Sequence, residues 1–245
     1  MKTIRFFMFA RMFTLLGLLS VVLFSGCQRF EDVGAFQEER KTYDLSGFTR
    51  VHIGSGSKVT IQQGAAYGVF VRGDSRNLDD LRVRVENGIL KADYYPHNHR
   101  NRQYRTEFTI TMPTLEGVDF SGATIADVGG FENSQKMYAR LSGASEGVLS
   151  IRANEIEIDL SGASRLSGVG ASQKMKADIS GGAELSFFGF SVEEVQISAS
   201  GGSNAKVNVS KTLRAEASGG SHIRYIGNPS SVSNNSSGGS SISRE

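Results

Sequence analysis

Cysteine is nearly absent from this chain of 245 residues, which contains only Cys27. A single thiol cannot form an internal disulfide, so the folded part must depend on its core. An excess of charge is also missing, because beyond residue 26 there are 24 Lys and Arg residues against 25 Asp and Glu residues. Since nonspecific binding of nucleic acid requires a strongly positive surface, we expect no nucleic-acid partner.

Long apolar runs are scarce, and the main one lies near the N-terminus. It spans residues 13–24, follows three cations and is too short to span a bilayer. It leads into Leu23-Phe24-Ser25-Gly26-Cys27, which resembles the lipobox of bacterial lipoproteins. The resemblance implies a signal peptide at residues 1–26, acylation of Cys27 with chains such as palmitate, and a place on the surface or periplasmic face of an outer membrane. An ordinary secretory signal or an uncleaved anchor is the alternative.

Helical periodicity is missing from the C-terminal half, which repeats itself instead. From residue 118 onward, Ser-Gly followed by a small residue recurs about every 19 residues. The motif begins at Ser121, Ser142, Ser161, Ser180, Ser200, Ser218 and Ser237. A fixed period near 20 residues is typical of a solenoid in which each repeat forms one coil.

Apolar and polar residues alternate around each motif. The position directly before the serine holds Phe120, Leu141, Leu160, Ile179, Ala199 and Ala217, and the position before that is polar in every unit. A period of two indicates strands with one buried face. Two short strands and two corners fit into 19–20 residues, so we predict an all-β fold, a single-stranded parallel β-helix.

The glycine after each serine is predicted to turn a corner of the coil, because glycine adopts positive φ without steric cost. These structural corners are Gly122, Gly143, Gly162, Gly181, Gly201, Gly219 and Gly238. The serines beside them are predicted to stack into a ladder of hydroxyl groups.

The same patterns divide the mature chain into segments. Residues 27–41 are polar and are predicted to form a tether, and residues 42–245 are predicted to form one solenoid domain. Within it we expect irregular coils at 42–117, regular coils at 118–227 and a frayed C-terminal cap at 228–245.

Neither the serines nor the acids of the repeats are predicted to be catalytic. Seven equivalent serines would each need a histidine base and an acid, and the chain has four histidines. An outward column of acids, which comprises Asp119, Asp159, Asp178 and Glu216, is the candidate cation site. Arg140 and Ser198 interrupt this column, so we interpret it as a solvated face. We predict no catalytic residue, no metal and no cofactor.

One segment differs in composition from the repeats. Residues 94–105 contain three arginines, two histidines and three tyrosines but no acid. Aromatic faces beside guanidinium groups suit glycans or phosphate. The candidate ligand-binding residues are Tyr94, Tyr95, His97, His99, Arg100, Arg102, Tyr104 and Arg105. A solvated hairpin tip is the alternative, and a His-x-His metal site would lack further nitrogen or sulfur ligands nearby.

The order of the motifs carries a family resemblance. Phe48–Ile53, Lys58–Gly64, Val83–Leu90 and Ile110–Leu115 precede the Ser-Gly units. Together with those units, they resemble the bacterial head GIN domain family, described as heads of autotransporter adhesins. The resemblance implies a right-handed β-helix in the cell envelope with an adhesive role, and it transfers no catalytic residue.

We therefore predict a non-enzymatic lipoprotein, anchored to the membrane through Cys27, whose exposed side chains bind a glycan or a protein of the matrix or envelope. A β-helical polysaccharide lyase or glycosidase is the alternative from another class, and it would require clustered carboxylates in a groove. A structural spacer of the envelope is the third interpretation. The sequence leaves the oligomeric state open.

Overall fold

The computed structural model describes residues 34–95 and 102–245, and residues 35–245 form one compact unit. Its strands are β1 (Glu38–Tyr43), β2 (Arg50–Ile53), β3 (Lys58–Gln63), β4 (Gly68–Asp74), β5 (Leu81–Glu86), β6 (Ile89–Tyr94), β7 (Glu107–Met112), β8 (Gly117–Phe120), β9 (Ile125–Leu141), β10 (Glu146–Leu160), β11 (Arg165–Ile179), β12 (Glu184–Ala199), β13 (Asn204–Ala217), β14 (His222–Ile226), β15 (Ser231–Ser236) and β16 (Ser241–Arg244). A short helix, α1 (Ser75–Asp79), follows β4. In the described ranges, no helix has the length and apolarity needed to cross a membrane.

Strands β9 to β13 build the regular part of a β-solenoid. Each pairs in parallel with the next, so that residues one repeat apart lie side by side. Leu141, Leu160 and Ile179 are successive ladder partners, for example. The predicted solenoid of stacked parallel coils is therefore confirmed, and neighbouring coils lie about 4.8 Å apart.

The inward positions of the coils fill one continuous core. The six apolar residues that directly precede the serines from Phe120 to Ala217 are all buried. Gly168 on β11 leaves space for the larger Phe187 on β12, since a Cβ at Gly168 would lie 2.7 Å from the Phe187 ring. Large and small residues on adjacent coils therefore fill the interior together.

The seven corner glycines all have φ between +63° and +76°. In the middle coils, the amide that follows one of these glycines donates a hydrogen bond to the glycine carbonyl of the preceding coil. Gly182 N lies 2.8 Å from Gly162 O, and Gly202 N lies 2.7 Å from Gly181 O. The corners therefore stack backbone against backbone.

The predicted ladder of hydroxyls was assigned to the wrong serines. The serines of the Ser-Gly pairs are exposed or half-buried, whereas the buried hydroxyls come three residues later. At one corner, Ser221 Oγ lies 2.8 Å from Ser218 O and 3.0 Å from Ala199 O of the preceding coil. Alternation explains the shift, because the residue before each serine points inward, so the serine points outward and the turn brings its fourth residue inside.

The N-terminal coils do not follow the order of the chain. Strand β2 lies between β6 and β8, and β3 lies between β7 and β9. The coil formed by β6 and β7 therefore precedes the coil of β2 and β3 in space but follows it in sequence.

Antiparallel strands complete this half, so the expectation of irregular coils throughout 42–117 was wrong for β4 and β5. Strands β4 and β1 extend the sheet from β7, and β5 pairs with β6. The turn at Asn87 and Gly88, where both residues have positive φ, reverses the chain and makes β5 and β6 a hairpin instead of a coil.

Both ends of the domain are more regular than predicted. Strand β1 begins at Glu38, inside the predicted tether, because the Arg72 guanidinium lies 2.7 Å from the Glu38 carboxylate and joins it to β4. Hydrogen bonds from Arg72 and Arg40 lower the pKa of Glu38 to about 2.

At the C-terminal end, β15 and β16 stay in register with β13 and β14, so the cap is not frayed. Backbone pairing maintains this coil although most of its side chains are exposed.

Replacing Gly181 with alanine should lower the free energy of unfolding by about 2–4 kcal/mol. The residue has φ +76°, and its new Cβ would lie 2.8 Å from Gly162 O. Gly182→Ala is the matched control, because its Cβ would lie 3.8 Å from the same oxygen and the same repeat position holds Ala144 and Ala163. Urea denaturation should show a change below about 0.5 kcal/mol for this control. Equal losses in the two variants would contradict the account of the corner.

Asp74 is a buried carboxylate that caps α1. It accepts hydrogen bonds from Arg76 N at 3.1 Å, Gln37 N at 3.0 Å and Arg76 Nε at 2.7 Å. These contacts, chiefly the Arg76 side chain, lower its pKa from the ordinary 3.8 to about 2. Asp74 therefore joins the start of β1 to the end of β4.

Because the pKa of Asp74 is lower in the folded state, its contribution to stability is present above about pH 4 and is lost as the pH falls through about 2. Asp74→Asn should therefore lower the free energy of unfolding by about 1–3 kcal/mol at neutral pH and by much less near pH 2. Urea denaturation at both pH values measures this difference, with the exposed Asp79→Asn as control. A loss of the same size at both pH values would contradict the assignment.

Candidate ligand-binding face

One side of the solenoid presents its side chains in ordered columns. We call it the front face, the solvent side of the sheet formed by β2, β8 and the C-terminal parts of β9 to β13. Alternation directs every second residue outward, and the parallel register aligns equivalent repeat positions. The first column contains Lys136, Glu155, Lys174 and Glu194. The second column contains Arg50, Gly117, Tyr138, Glu157, Lys176, Gln196 and Arg214. The third column contains His52, Asp119, Arg140, Asp159, Asp178, Ser198 and Glu216.

The third column includes the predicted acids, and cations accompany them. Arg140 Nε lies 3.2 Å from the Asp159 carboxylate, and Lys176 Nζ lies 3.6 Å from Asp178. His52 Nδ1 lies 3.6 Å from Asp119. These contacts fit the interpretation of a solvated face of mixed charge. Within residues 34–95 and 102–245, no group of three His, Cys, Asp or Glu side chains is arranged to hold a metal ion.

Tyr138 is the aromatic side chain of the second column, and 36% of it is exposed. The Arg50 guanidinium carbon lies 5.4 Å from the centre of its ring, and Lys136 Nζ lies 4.8 Å from it. Lys136 also donates a hydrogen bond to Glu157 at 2.8 Å, and this bond raises the pKa of Lys136. An exposed amphipathic ring therefore lies between the Arg50 and Lys136 side chains.

A gap adjoins this ring, because Gly117 occupies the second column between Arg50 and Tyr138. A Cβ at Gly117 would lie 3.2 Å from Tyr138 Cβ and 3.8 Å from Arg50 Cγ. Gly117 also lines a depression of about 430 Å³ that extends along the front face and includes Asp119 and Arg140.

The described ends of the basic aromatic segment at 94–105 adjoin β6 and β7. Residues 54–57 form the corner between β2 and β3, and the longer segment 95–106 joins β6 to β7, which pair with those same two strands. We call residues 95–106 the enlarged corner, because 12 residues join β6 to β7 where four join β2 to β3.

The described residues of this segment, Tyr94, Tyr95, Arg102, Tyr104 and Arg105, make several separate contacts. The Tyr94 hydroxyl lies 2.6 Å from Thr106 Oγ1, burial raises the pKa of Tyr94, and the Arg102 guanidinium carbon lies 3.9 Å from the centre of its ring. Tyr104 contacts Phe36 edge to face at 5.1 Å. Tyr95 is exposed, with the Arg82 guanidinium carbon 4.8 Å from its ring centre.

Arg105 joins the enlarged corner to its neighbours. Its Nη1 donates hydrogen bonds to Gly56 O at 3.1 Å and to Ala123 O at 3.0 Å, which belong to the next two corners. His97, His99, Arg100 and Cys27 lie outside the described residues. Ligand binding by the segment remains a prediction, and the described contacts of Arg105 are structural.

Sequence reasoning missed Tyr138 and Gly117. Both occupy the repeat position four residues before the serine, where the other coils hold Glu157, Lys176, Gln196 and Arg214. An aromatic residue next to a glycine in an otherwise polar outward column was the available signal. It could be recognised only once this position was compared across all the repeats.

Arg105→Ala should lower the free energy of unfolding by about 1 kcal/mol, because two backbone carbonyls lose a charged donor. Chemical denaturation measures the change, and Arg214→Ala, an exposed arginine on the front face, is the matched control. Equal stability of the two variants would show that Arg105 does not stabilise the stacked corners.

Comparisons with known proteins agree with this architecture. A family model described as "Putative auto-transporter adhesin, head GIN domain" matches residues 47–229. A putative adhesin from Bacteroides fragilis has a similar structure, with a TM-score of 0.75 and 18% identity over 86% of this chain and 98% of that chain. A putative lipid binding protein from Parabacteroides distasonis is similar with a TM-score of 0.69 and 15% identity, over 85% of this chain and 96% of that chain.

At these identities the structural likeness concerns the fold alone. Comparison with curated proteins gives no match. The family model, however, spans most of the solenoid, from the start of β2 through the stacked corners to the end of β14. This chain therefore belongs to the head GIN domain family.

Proposed function

We propose that this protein is a non-enzymatic adhesin of the cell envelope, anchored by lipid on Cys27, which binds a glycan through the front face. The observation that carries the proposal is the exposed Tyr138 ring among charged side chains on a sheet whose backbone is fully stacked. Membership of a family described as adhesin heads supports it.

The chemistry of the front face suits carbohydrate. Sugar rings have apolar C–H faces that stack on aromatic rings, and hydroxyl edges that bond to carboxylate and guanidinium groups. The stacked coils offer such groups at intervals of about 4.8 Å along one direction. An extended polymer can therefore make many weak contacts at once, and their sum gives avidity without a deep pocket.

A lyase or glycosidase is the alternative. Glycoside hydrolysis uses two carboxylates on opposite sides of the bond that breaks, one of them acting as an acid. On the front face, Asp159 lies beside Arg140 and Asp178 lies beside Lys176, all on one exposed surface. This arrangement favours binding over acid–base catalysis. A spacer, the third interpretation, would have no need for an exposed aromatic ring beside a gap.

A glycan array tests the binding activity. The full chain, purified in mild detergent, is applied to the array, and every bound glycan is then incubated with it and examined for shorter products. Binding without cleavage is the expected result. Cleavage of a bound glycan would favour the enzyme, and absence of binding across the array would contradict the adhesin and favour the spacer.

Cys27→Ala should release the protein from the membrane, because the acylated thiol and amino group would be lost. Fractionation of a bacterial host that processes lipoproteins, followed by mass spectrometry of the mature N-terminus, measures the effect. Ser25→Ala is the matched control, since it keeps a small residue before the cysteine and should remain in the membrane fraction. Equal membrane retention of Cys27→Ala and the wild type would refute the anchor.

A further inference from the structure

We infer that Gly117, Asp119, Tyr138 and Arg140 form a subsite for one neutral pyranose unit of a glycan chain. We call these four residues the Tyr138 subsite. The inference rests on the proposed glycan-binding function and deepens it, because it names the place on the front face and the class of sugar.

The four residues occupy the corners of a rectangle on two adjacent strands. Gly117 and Asp119 lie on β8, Tyr138 and Arg140 lie on β9, and the ladder pairs Gly117 with Tyr138 and Asp119 with Arg140. Residues two apart on a strand share a face, so the rectangle measures about 4.8 Å between strands and about 6.7 Å along them. Those dimensions suit a single six-membered sugar ring.

At the glycine corner of the rectangle, the Arg50 side chain reaches across Gly117 to one side of the Tyr138 ring, with its guanidinium carbon 5.4 Å from the ring centre, and 36% of Tyr138 remains exposed. Arg50, Glu157, Lys176, Gln196 and Arg214 all fill the same column on other coils with long side chains. Gly117 contributes no side chain to this column, and with Asp119, Tyr138 and Arg140 it lines a depression of about 430 Å³ that extends from β2 to β11. A sugar ring that rests in this gap would have the edge or face of the tyrosine on one side.

Asp119 and Arg140, the other ladder pair of the rectangle, supply its polar groups. The nearest basic side chain to Asp119 is His52, whose Nδ1 lies 3.6 Å from Oδ2, which is longer than a hydrogen bond. The Asp119 carboxylate therefore keeps acceptor capacity for sugar hydroxyls. Arg140, its ladder partner, presents donors from the neighbouring strand. A pair of adjacent hydroxyls, one donating to Asp119 and the other accepting from Arg140, matches this arrangement.

The charge around the depression decides the class of sugar. Its lining contains Arg50, Arg140 and Lys176, four acids (Asp119, Glu157, Asp159 and Asp178) and His52, and Lys136 beside it donates a hydrogen bond to Glu157 at 2.8 Å, so the charges nearly balance. A uronate or a sulfated sugar would therefore gain no net Coulomb energy there to offset the cost of its desolvation. A neutral hexose meets no such penalty.

Affinity electrophoresis tests the subsite with the full chain in mild detergent. Native gels contain one polymer each, namely the neutral polysaccharides mannan, dextran or galactan, or the anionic polygalacturonate. At least one neutral polymer should retard the wild type. Tyr138→Ala should weaken that binding about tenfold or more, and Asp119→Asn about threefold or more. Asn204→Ala, on the strand segment that follows a corner and so off the front face, should bind like the wild type.

Thermal unfolding of each variant separates loss of binding from loss of the fold, and Asp119→Asn keeps the shape of its side chain. If a neutral polymer binds and both variants bind it unchanged, the subsite is wrong although glycan binding stands. If polygalacturonate binds most tightly and Tyr138→Ala abolishes that binding, the neutral class is wrong. If the wild type binds no polymer and no glycan on the array, the proposed function itself fails.

Discussion

The solenoid depends on the contact between successive corners. At each corner a glycine in the left-handed region turns the chain, and in the middle coils the next amide donates to the glycine carbonyl one coil earlier. A side chain on the glycine would collide with that carbonyl, so the corner requires both the conformational freedom and the missing Cβ of glycine. This contact keeps the period near 19 residues, and the period aligns the core and the outward columns.

Function is expected where the repeat is interrupted. The ladder places equivalent positions in straight columns, so most coils offer similar groups to the solvent. Gly117 and Tyr138 are exceptions, and they are neighbours only because β8 pairs with β9. A regular backbone therefore presents an irregular patch with little flexibility, which reduces the entropy lost when a ligand binds.

The regular half of the fold was accessible from the sequence, whereas parts of the N-terminal half were not. Alternation with period two, together with a Ser-Gly unit in each coil, is satisfied by parallel coils that bury every apolar position. The N-terminal half contains similar short strands, but nothing local distinguishes a strand that stacks as a coil from one that reverses beside it. Strand β2 is separated from β8 by more than sixty residues in the sequence, yet they are ladder neighbours, and a third strand, β6, lies on the other side of β2.

By itself, the sequence determined the solenoid, the inward columns, the glycine corners and the expectation of a lipid anchor at Cys27, because each rests on local spacing and residue type. The tertiary structure decided which hydroxyls enter the corners, how the first coils are ordered and that Arg105 joins three corners. It also decided that Gly117 opens a gap beside Tyr138. These features arise from pairing between coils, and a linear pattern does not contain the partner of a strand until the stack is formed.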